Sequence, residues 1–290
     1  DLYRWTHDQA VRLLNLGHTP DEIAARVDMP KNLWEDWLCH GYYGTMSHNV
    51  RAIYQRYLGW YDGHPSSLHP YEPTEAATRY VEFMGGMDRL LEQAQVSFEQ
   101  GDYRWVAQVL RHAVFADPTN QAARDLQAAS FEQLAYQAES GVWRDVYLSG
   151  AQELRQGPLD LPVIRRPPAD VASGLSVQQI FDYLAVQIDG PVADALGSLR
   201  INWVFSDDDP TVRINLSNGT LHAVPGRHNE LPDATITCSR AQLERLVSTG
   251  EGLATLVDEG QATIEGDQHR VLALWDTFTE FPLFFNIIEP

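Results

Sequence analysis

The chain has 290 residues, with 40 acidic side chains against 21 basic ones, a formal charge of −19 and a single lysine, Lys31. An apolar content of 44% with 21% charged residues is that of a folded protein of one to three domains, which excludes wholesale disorder. The acidity leaves no basic stripe to displace counterions from phosphates and argues against nucleic acid as a partner, and no apolar run approaches the ~18 residues of a transmembrane segment.

The chain opens inside a helical pattern at Asp1-Leu2-Tyr3-Arg4-Trp5, without an initiator Met or a signal peptide, as expected of a processed or truncated product. Residues 1–74 read as helical and aromatic-rich. Trp5, Val11, Leu14 and Leu16 predict an irregular apolar helix face, ended by Gly17. Thr19-Pro20-Asp21-Glu22 supplies an N-cap, a proline at the first helical position and a capping-box glutamate, so a short helix runs to about Arg26. Pro30 separates it from a helix that carries Leu33, Trp34, Trp37 and Leu38 to Gly41. Another helix is expected from Asn49 to Leu58, stopped by Gly59, with a long loop from Gly59 to Pro73.

Over 75–156 the apolar period is strongly helical. Met87, Leu90, Leu91, Ala94 and Phe98 share one face; Val106, Val109, Leu110, Ala113 and Val114 follow the Gly101-Asp102 turn. After Asp117-Pro118 a third helix carries Ala123, Leu126, Phe131 and Leu134. Small residues at the crossings and a Gly-Asp-Tyr turn predict tetratricopeptide-like helical hairpins. The Pro-rich stretch 157–174 reads as a stiff linker.

From 175 to 290 the texture becomes α+β with a mainly antiparallel sheet. Ser176 caps a helix with Ile180, Phe181 and Leu184; strands are expected at Arg200–Phe205, Thr211–Leu216, Thr220–Val224, Asp233–Cys238 and Ala262–Glu265. Asn218-Gly219 is a strong hairpin signal, and Ser239 with Gln242 a capping box. A last helix is expected from Val271 to Phe278, and the closing run Phe281 to Ile288 is too apolar to be left free.

Few residues group into recognisable chemistry. Four histidines fall between His40 and His69, but none has zinc-ligand spacing, and Cys39 and Cys238 read as free thiols. Asp207-Asp208-Asp209 reads as a solvated hairpin turn or a calcium-binding run. Tyr42, Tyr43, Thr45, His48 and Asn49 crowd donors and acceptors just before a helix, which suits either a capped tight turn or a bound oxyanion such as sulfate. Trp34, Trp37, Tyr54, Tyr57, Trp60 and Tyr61 could form a core, a subunit interface or a pocket lining.

Longer strings go further. Gly41-Tyr42-Tyr43-Gly44-Thr45-x-x-His48-Asn49, Tyr54-Gln55-Arg56-Tyr57-Leu58-Gly59-Trp60-Tyr61-Asp62-Gly63, Gly101-Asp102-Tyr103-Arg104-Trp105 and the run from Glu132 to Gly141 resemble the linear alkyl sulfatase family over residues 1–156. The segment after the linker resembles the sterol-carrier-protein-like domain of those enzymes, with Gly266-Asp267 and Phe285-Asn286-Ile287-Ile288 as markers.

The resemblance implies a zinc-dependent hydrolase of alkyl sulfate esters, in which an N-terminal metallo-β-lactamase-type segment holds two zinc ions, a helical domain dimerises and a C-terminal domain offers an apolar groove. It also implies a periplasmic or secreted setting. The family's Thr-His-x-His-x-Asp-His string is missing from the sequence, so no metal ligand is assigned to this chain, which is expected to be inactive alone and to need that N-terminal partner segment. By resemblance, residues 1–74 would end the catalytic region and enter the helical domain, residues 75–156 would form the homodimer, and residues 175–290 the third domain. His48 and Tyr43 would act catalytically, Tyr42 and Asn49 would bind the sulfate, and Trp203, Phe205, Trp275 and Phe278 would line the groove for the alkyl tail. Relatives are expected to place an arginine just before the Gly-Tyr-Tyr-Gly motif; His40 stands there instead, which weakens a fixed positive charge at the site. Two rival readings are a non-catalytic lipid-binding or scaffold protein and a metal-free hydrolase with His48 as its base.

Overall fold

Side-chain caps set most helix starts in the computed structural model, which describes residues 1–159, 166–207 and 210–290. The chain forms two compact units: residues 1–160 with 284–290, and residues 161–283.

The first unit is all-helical. Helix α1 (Leu2–Asn15) buries Thr6, Ala10 and Leu13, a stripe spaced four and three residues apart. The predicted face through Trp5, Val11 and Leu16 is therefore displaced, and Leu16 is exposed. Helix α2 (Pro20–Arg26) has the expected Thr19–Glu22 capping box. The next helix is shorter than predicted: α3 (Lys31–Trp34) stops, and the Asp36 side chain, accepting from the Leu38 N–H, starts a separate 3-10 turn, Trp37–Cys39. That break leaves Trp34, Trp37 and Leu38 exposed. Helix α4 (Met46–Leu58) begins ahead of the predicted Asn49 because Thr45, rather than Ser47 or Asn49, is its N-cap. It packs on α1 and α2, burying Val50 and Tyr54 against Ile23 and Ala10.

Helices α5 (Pro73–Phe83), α6 (Met87–Glu99), α7 (Tyr103–Ala116), α8 (Gln121–Gln137) and α9 (Gly141–Gln156) follow. Pro73 opens a helix instead of closing the loop, since its missing N–H is no loss at a first helical position. Helix α7 is the axis of the layer, packing on α5, α6 and α8 through Val106, Val109, Leu110, Ala113 and Val114. The C-terminal residues return to this unit: the Ile287 and Ile288 amides donate to Glu153 Oε1 at 2.6 and 2.9 Å, Glu289 pairs with Arg124, and Ile288 packs on the α5–α9 core. The closing run is nevertheless only partly covered, with Phe281, Leu283, Phe285 and Ile287 exposed.

In the second unit, Ala169–Gly174 forms a helix (α10) where a linker was expected; the linker residues 160–165 lie outside the described residues. Helices α11 (Val177–Gln187) and α12 (Gly190–Asp194) lead into strands β1 (Leu199–Phe205), β2 (Val212–Ser217), β3 (Thr220–Pro225) and β4 (Ala234–Cys238), then α13 (Arg240–Thr249), α14 (Leu253–Asp258), β5 (Ala262–Gly266) and α15 (Gln268–Trp275). The sheet order is β3-β2-β1-β4-β5, with β1–β4 parallel and the other pairs antiparallel. Leu199, Ile201, Trp203 and Phe205 of the central strand join one core with residues of α11, α13, α14 and α15. Helix α15 starts and stops earlier than predicted because Asp267 caps it. Of the Asp207–Asp209 run, Asp207 is described and accepts from the Arg240 N–H at the head of α13; Asp208 and Asp209 lie outside the described residues.

The β2–β3 hairpin turns on Asn218 and Gly219, both with positive φ, the signature of a two-residue type I′ turn. A Cβ on Gly219 would stand 2.4 Å from the Gly190 carbonyl oxygen, whereas one on Gly260, also at positive φ, meets nothing within 4 Å. Gly219→Ala should therefore cost at least about 2 kcal/mol and Gly260→Ala about 1 kcal/mol, read from denaturation midpoints of the two variants.

Candidate functional site

The predicted Gly41–Asn49 segment is fixed by the turn between α8 and α9. Ser140, the N-cap of α9 and fully buried, accepts from the Trp143 N–H at 3.2 Å and donates its hydroxyl to the Tyr43 carbonyl at 2.6 Å. The Gly141 N–H, one of the donors a helix start leaves free, donates to the Tyr42 carbonyl at 2.9 Å. With both carbonyls held, the Tyr43 side chain projects outward at 82% exposure. Asn49 folds back beside Gly44, where a Cβ would stand 3.3 Å from its Oδ1.

His48, on the first turn of α4, faces a cleft of about 1290 Å³ between α2, α4, α7, α8 and the head of α9. Its ring sits edge-on to Trp143, centroids 4.8 Å apart. Thr45 Oγ1 lies 3.1 Å from His48 Nδ1 and accepts from the His48 amide. The threonine hydroxyl can donate to Nδ1 or accept from it, so either neutral tautomer satisfies this contact. Partial burial, and secondarily the Arg51 charge, hold His48 below the ordinary histidine range.

The cleft reverses the sign of the chain's charge. Arg51 is paired with Asp21 at 2.9 Å. Arg104 and Arg111, on α7, have no carboxylate partner among the described residues; Arg111 lies over the Phe115 ring. Apolar wall comes from Phe115, Phe131, Leu134, Trp143 and Tyr147. Buried Gln127 faces the cleft with an Oε1 that has no partner, while its Nε2 donates to the Ala107 carbonyl.

Of the predicted site residues, His48 lines this cleft; Tyr42, Tyr43 and Asn49 stand on the adjoining loop and do not. Of the six clustered aromatics, Trp34 lines it, Tyr54 is core and the others are outside it. Cys39 cannot use His40 as a base, because both His40 ring nitrogens are engaged by Glu139 and the Trp34 carbonyl. Burial drives the Cys238 thiol up to about 12, far from reactive. Among the described residues no group of three His, Cys, Asp or Glu side chains could hold a metal ion, so a zinc centre does not fit here.

In the second unit, Trp203, Trp275 and Phe278 stack in sequence, centroids 6.0 and 5.0 Å apart, around an apolar cavity of about 20 Å³; Phe205 does not line it. That space suits about one water molecule rather than an alkyl chain. Ser140, Trp143, Arg104 and Arg111 escaped sequence reasoning as site residues, although the first three lie in or beside strings that carry the family resemblance.

The chain thus pairs a helical layer that carries a cleft with an open α+β sheet domain. Residues 19–157 match the alkyl sulfatase dimerisation family and residues 167–290 the alkyl sulfatase C-terminal family. The chain belongs to the alkyl sulfatases through both domains. It is 40% identical over its whole length to a linear primary-alkylsulfatase from Pseudomonas sp and to the alkyl/aryl-sulfatase BDS1 of Saccharomyces cerevisiae, and 39% to an (R)-specific secondary-alkylsulfatase from Pseudomonas sp. It spans 43–44% of the length of those relatives. The solved stereoselective inverting sec-alkylsulfatase Pisa1 from Pseudomonas sp. superposes on the whole chain with a TM-score of 0.92 at 38% identity, the match covering 45% of that structure.

Because its ionisation is lowered, His48 in the folded chain should titrate below the ordinary histidine value by NMR. Arg51→Gln should restore the smaller part of the shift, burial being the larger cause. The unfolded chain binds this proton first, so the contribution of His48 to stability falls as pH drops below the ordinary value and levels off below the folded one.

Proposed function

We propose that this chain is the dimerising and substrate-receiving portion of an alkyl sulfatase, which hydrolyses alkyl sulfate esters to alcohol and sulfate together with a metal-bearing segment not contained in these residues. The observation that carries this reading is the cleft: His48, two arginines without carboxylate partners among the described residues and an apolar wall face one space in an otherwise acidic chain. An amphiphile with an anionic head fits such a lining, and the local arginine field offsets the repulsion of a −19 chain. Here His48 hydrogen-bonds the leaving oxygen, Tyr43 presents its phenol to the sulfate from the loop rim, and Tyr42 and Asn49 shape that rim. The two zinc ions implied by resemblance are assigned to the N-terminal segment.

Homodimerisation is supported by the family to which 19–157 belong and by large apolar side chains left in water on the helical unit, among them Phe83, Tyr136 and Val146. The chain should scatter light with a mass near twice its 32.7 kDa at micromolar concentration; a monodisperse monomer would count against the interface.

Dodecyl sulfate should be left intact by the isolated chain and hydrolysed by the enzyme that includes the metal-bearing segment. In that assembled enzyme His48→Ala should lower kcat about 10²–10⁴-fold, and Arg104→Ala with Arg111→Ala should raise KM about tenfold with a smaller change in kcat. Hydrolysis by the isolated, chelator-treated chain would refute the division of labour. The rival lipid-carrier reading would gain if a fatty alcohol raised the melting temperature of the chain and both arginine substitutions left turnover untouched.

A further inference from the structure

His40 stands just before the Gly41-Tyr42-Tyr43-Gly44 motif, and its surroundings favour a cation there. Nδ1 lies 2.8 Å from Glu139 Oε1 and Nε2 lies 2.8 Å from the Trp34 carbonyl oxygen. Both partners are acceptors only. A neutral imidazole has one N–H and would set a lone pair against one of these oxygens, so the geometry is satisfied only by the doubly protonated ring. The ring is stacked between Trp34 and Tyr42, with centroids 5.1 and 5.8 Å away and planes inclined by 30° and 17°, an arrangement that favours a cation over the aromatic faces. The charged groups facing it are Glu139 from the α8–α9 turn and Asp36 from the head of the 3-10 turn, both carboxylates; the Tyr42 phenol is the remaining titratable neighbour. No basic side chain competes among the described residues that act on it.

We propose that His40 is an imidazolium clamp that fastens the Gly41–Asn49 loop to the α8–α9 turn, acting as a positioning residue for Tyr43 that releases when the ring loses its second proton. Glu139, Ser140 and Gly141 are consecutive, so the clamp and the two bonds to the Tyr42 and Tyr43 carbonyls close on the same three residues. Loss of one proton breaks either the Glu139 or the Trp34 contact and loosens the loop beside the other two. The hydrogen bond His40 donates to Glu139 holds its ionisation above the ordinary histidine range, with partial burial opposing and the Trp34 carbonyl contributing. The sign follows: docking strength is fully present below the ordinary value and is lost as pH rises through the raised folded value. The role toward Tyr43 rests on the alkyl sulfatase reading; the clamp itself does not.

The test uses the 290-residue chain and needs no hydrolysis, so failure of the function reading leaves it intact. NMR titration should place His40 above the ordinary histidine value, and Glu139→Gln should bring it down. Hydrogen-exchange protection of the Gly141 amide, corrected for intrinsic rate, should fall about three- to fivefold as pH rises through the His40 ionisation. It should stay high across that range in His40→Arg and low throughout in His40→Gln. An ordinary His40 titration unmoved by Glu139→Gln overturns the clamp. Gly141 protection that ignores the His40 ionisation overturns the positioning role.

Discussion

The Gly-Tyr-Tyr-Gly loop is shaped by an obligation of helix α9. The first amides of any helix lack partners inside it, and leaving them buried and unpaired would cost about 1–3 kcal/mol each. Here the Gly141 amide is given to the Tyr42 carbonyl, and the capping hydroxyl of Ser140 serves two groups at once, the Trp143 amide and the Tyr43 carbonyl. Satisfying the helix start therefore fixes two consecutive peptide units of a distant loop. With both carbonyls turned inward on α9, Tyr43 is left facing solvent, and Thr45 is placed to cap α4 and to contact His48 Nδ1.

The same packing decides where charge ends up. Forty acids make most of the surface negative, and about half of the arginines are paired with carboxylates among the described residues, as in Arg155 with Glu132 or Arg200 with Asp233. Arg104 and Arg111 lie seven positions apart on α7 and so share a face of that helix. The opposite stripe, Val106, Val109, Leu110 and Ala113, is committed to the core, which turns the arginines into the cleft. Helical periodicity, rather than a dedicated binding loop, thus produces a cationic wall in an anionic protein.

Local signals in the sequence were legible wherever one residue settles the geometry. The capping boxes at Thr19 and Ser239, the Ser176 cap and the Asn218-Gly219 turn all lie where they were predicted, and Ser176 adds a reciprocal bond with Gln179 that was not. The errors arose where a tertiary partner decides. Trp34 through Leu38 has helical content, yet Asp36 finds the Leu38 amide and divides it. Thr45 outcompetes Ser47 as a cap because it sits at the end of a loop already pinned by α9. Glu139 and Ser140 could not be read as site residues, since their relation to His40 and Tyr43 spans 97 to 99 positions and no periodicity encodes it.

The two units offer different prospects for an alkyl tail. Trp203, Trp275 and Phe278 close on one another around a space the size of a water molecule, and the core there is packed as a protein interior should be. Admitting a chain of several methylenes would require Trp275 and Phe278 to swing away, forfeiting contacts that Trp203 and Phe181 now make in an edge-to-face pair at 5.5 Å and in the stack beyond it. The helical cleft requires no such opening, because its volume is already about 1290 Å³ and its wall combines Phe115, Phe131 and Leu134 with the two arginines. An amphiphile gains from both kinds of wall only where they adjoin, as they do in the cleft beside His48.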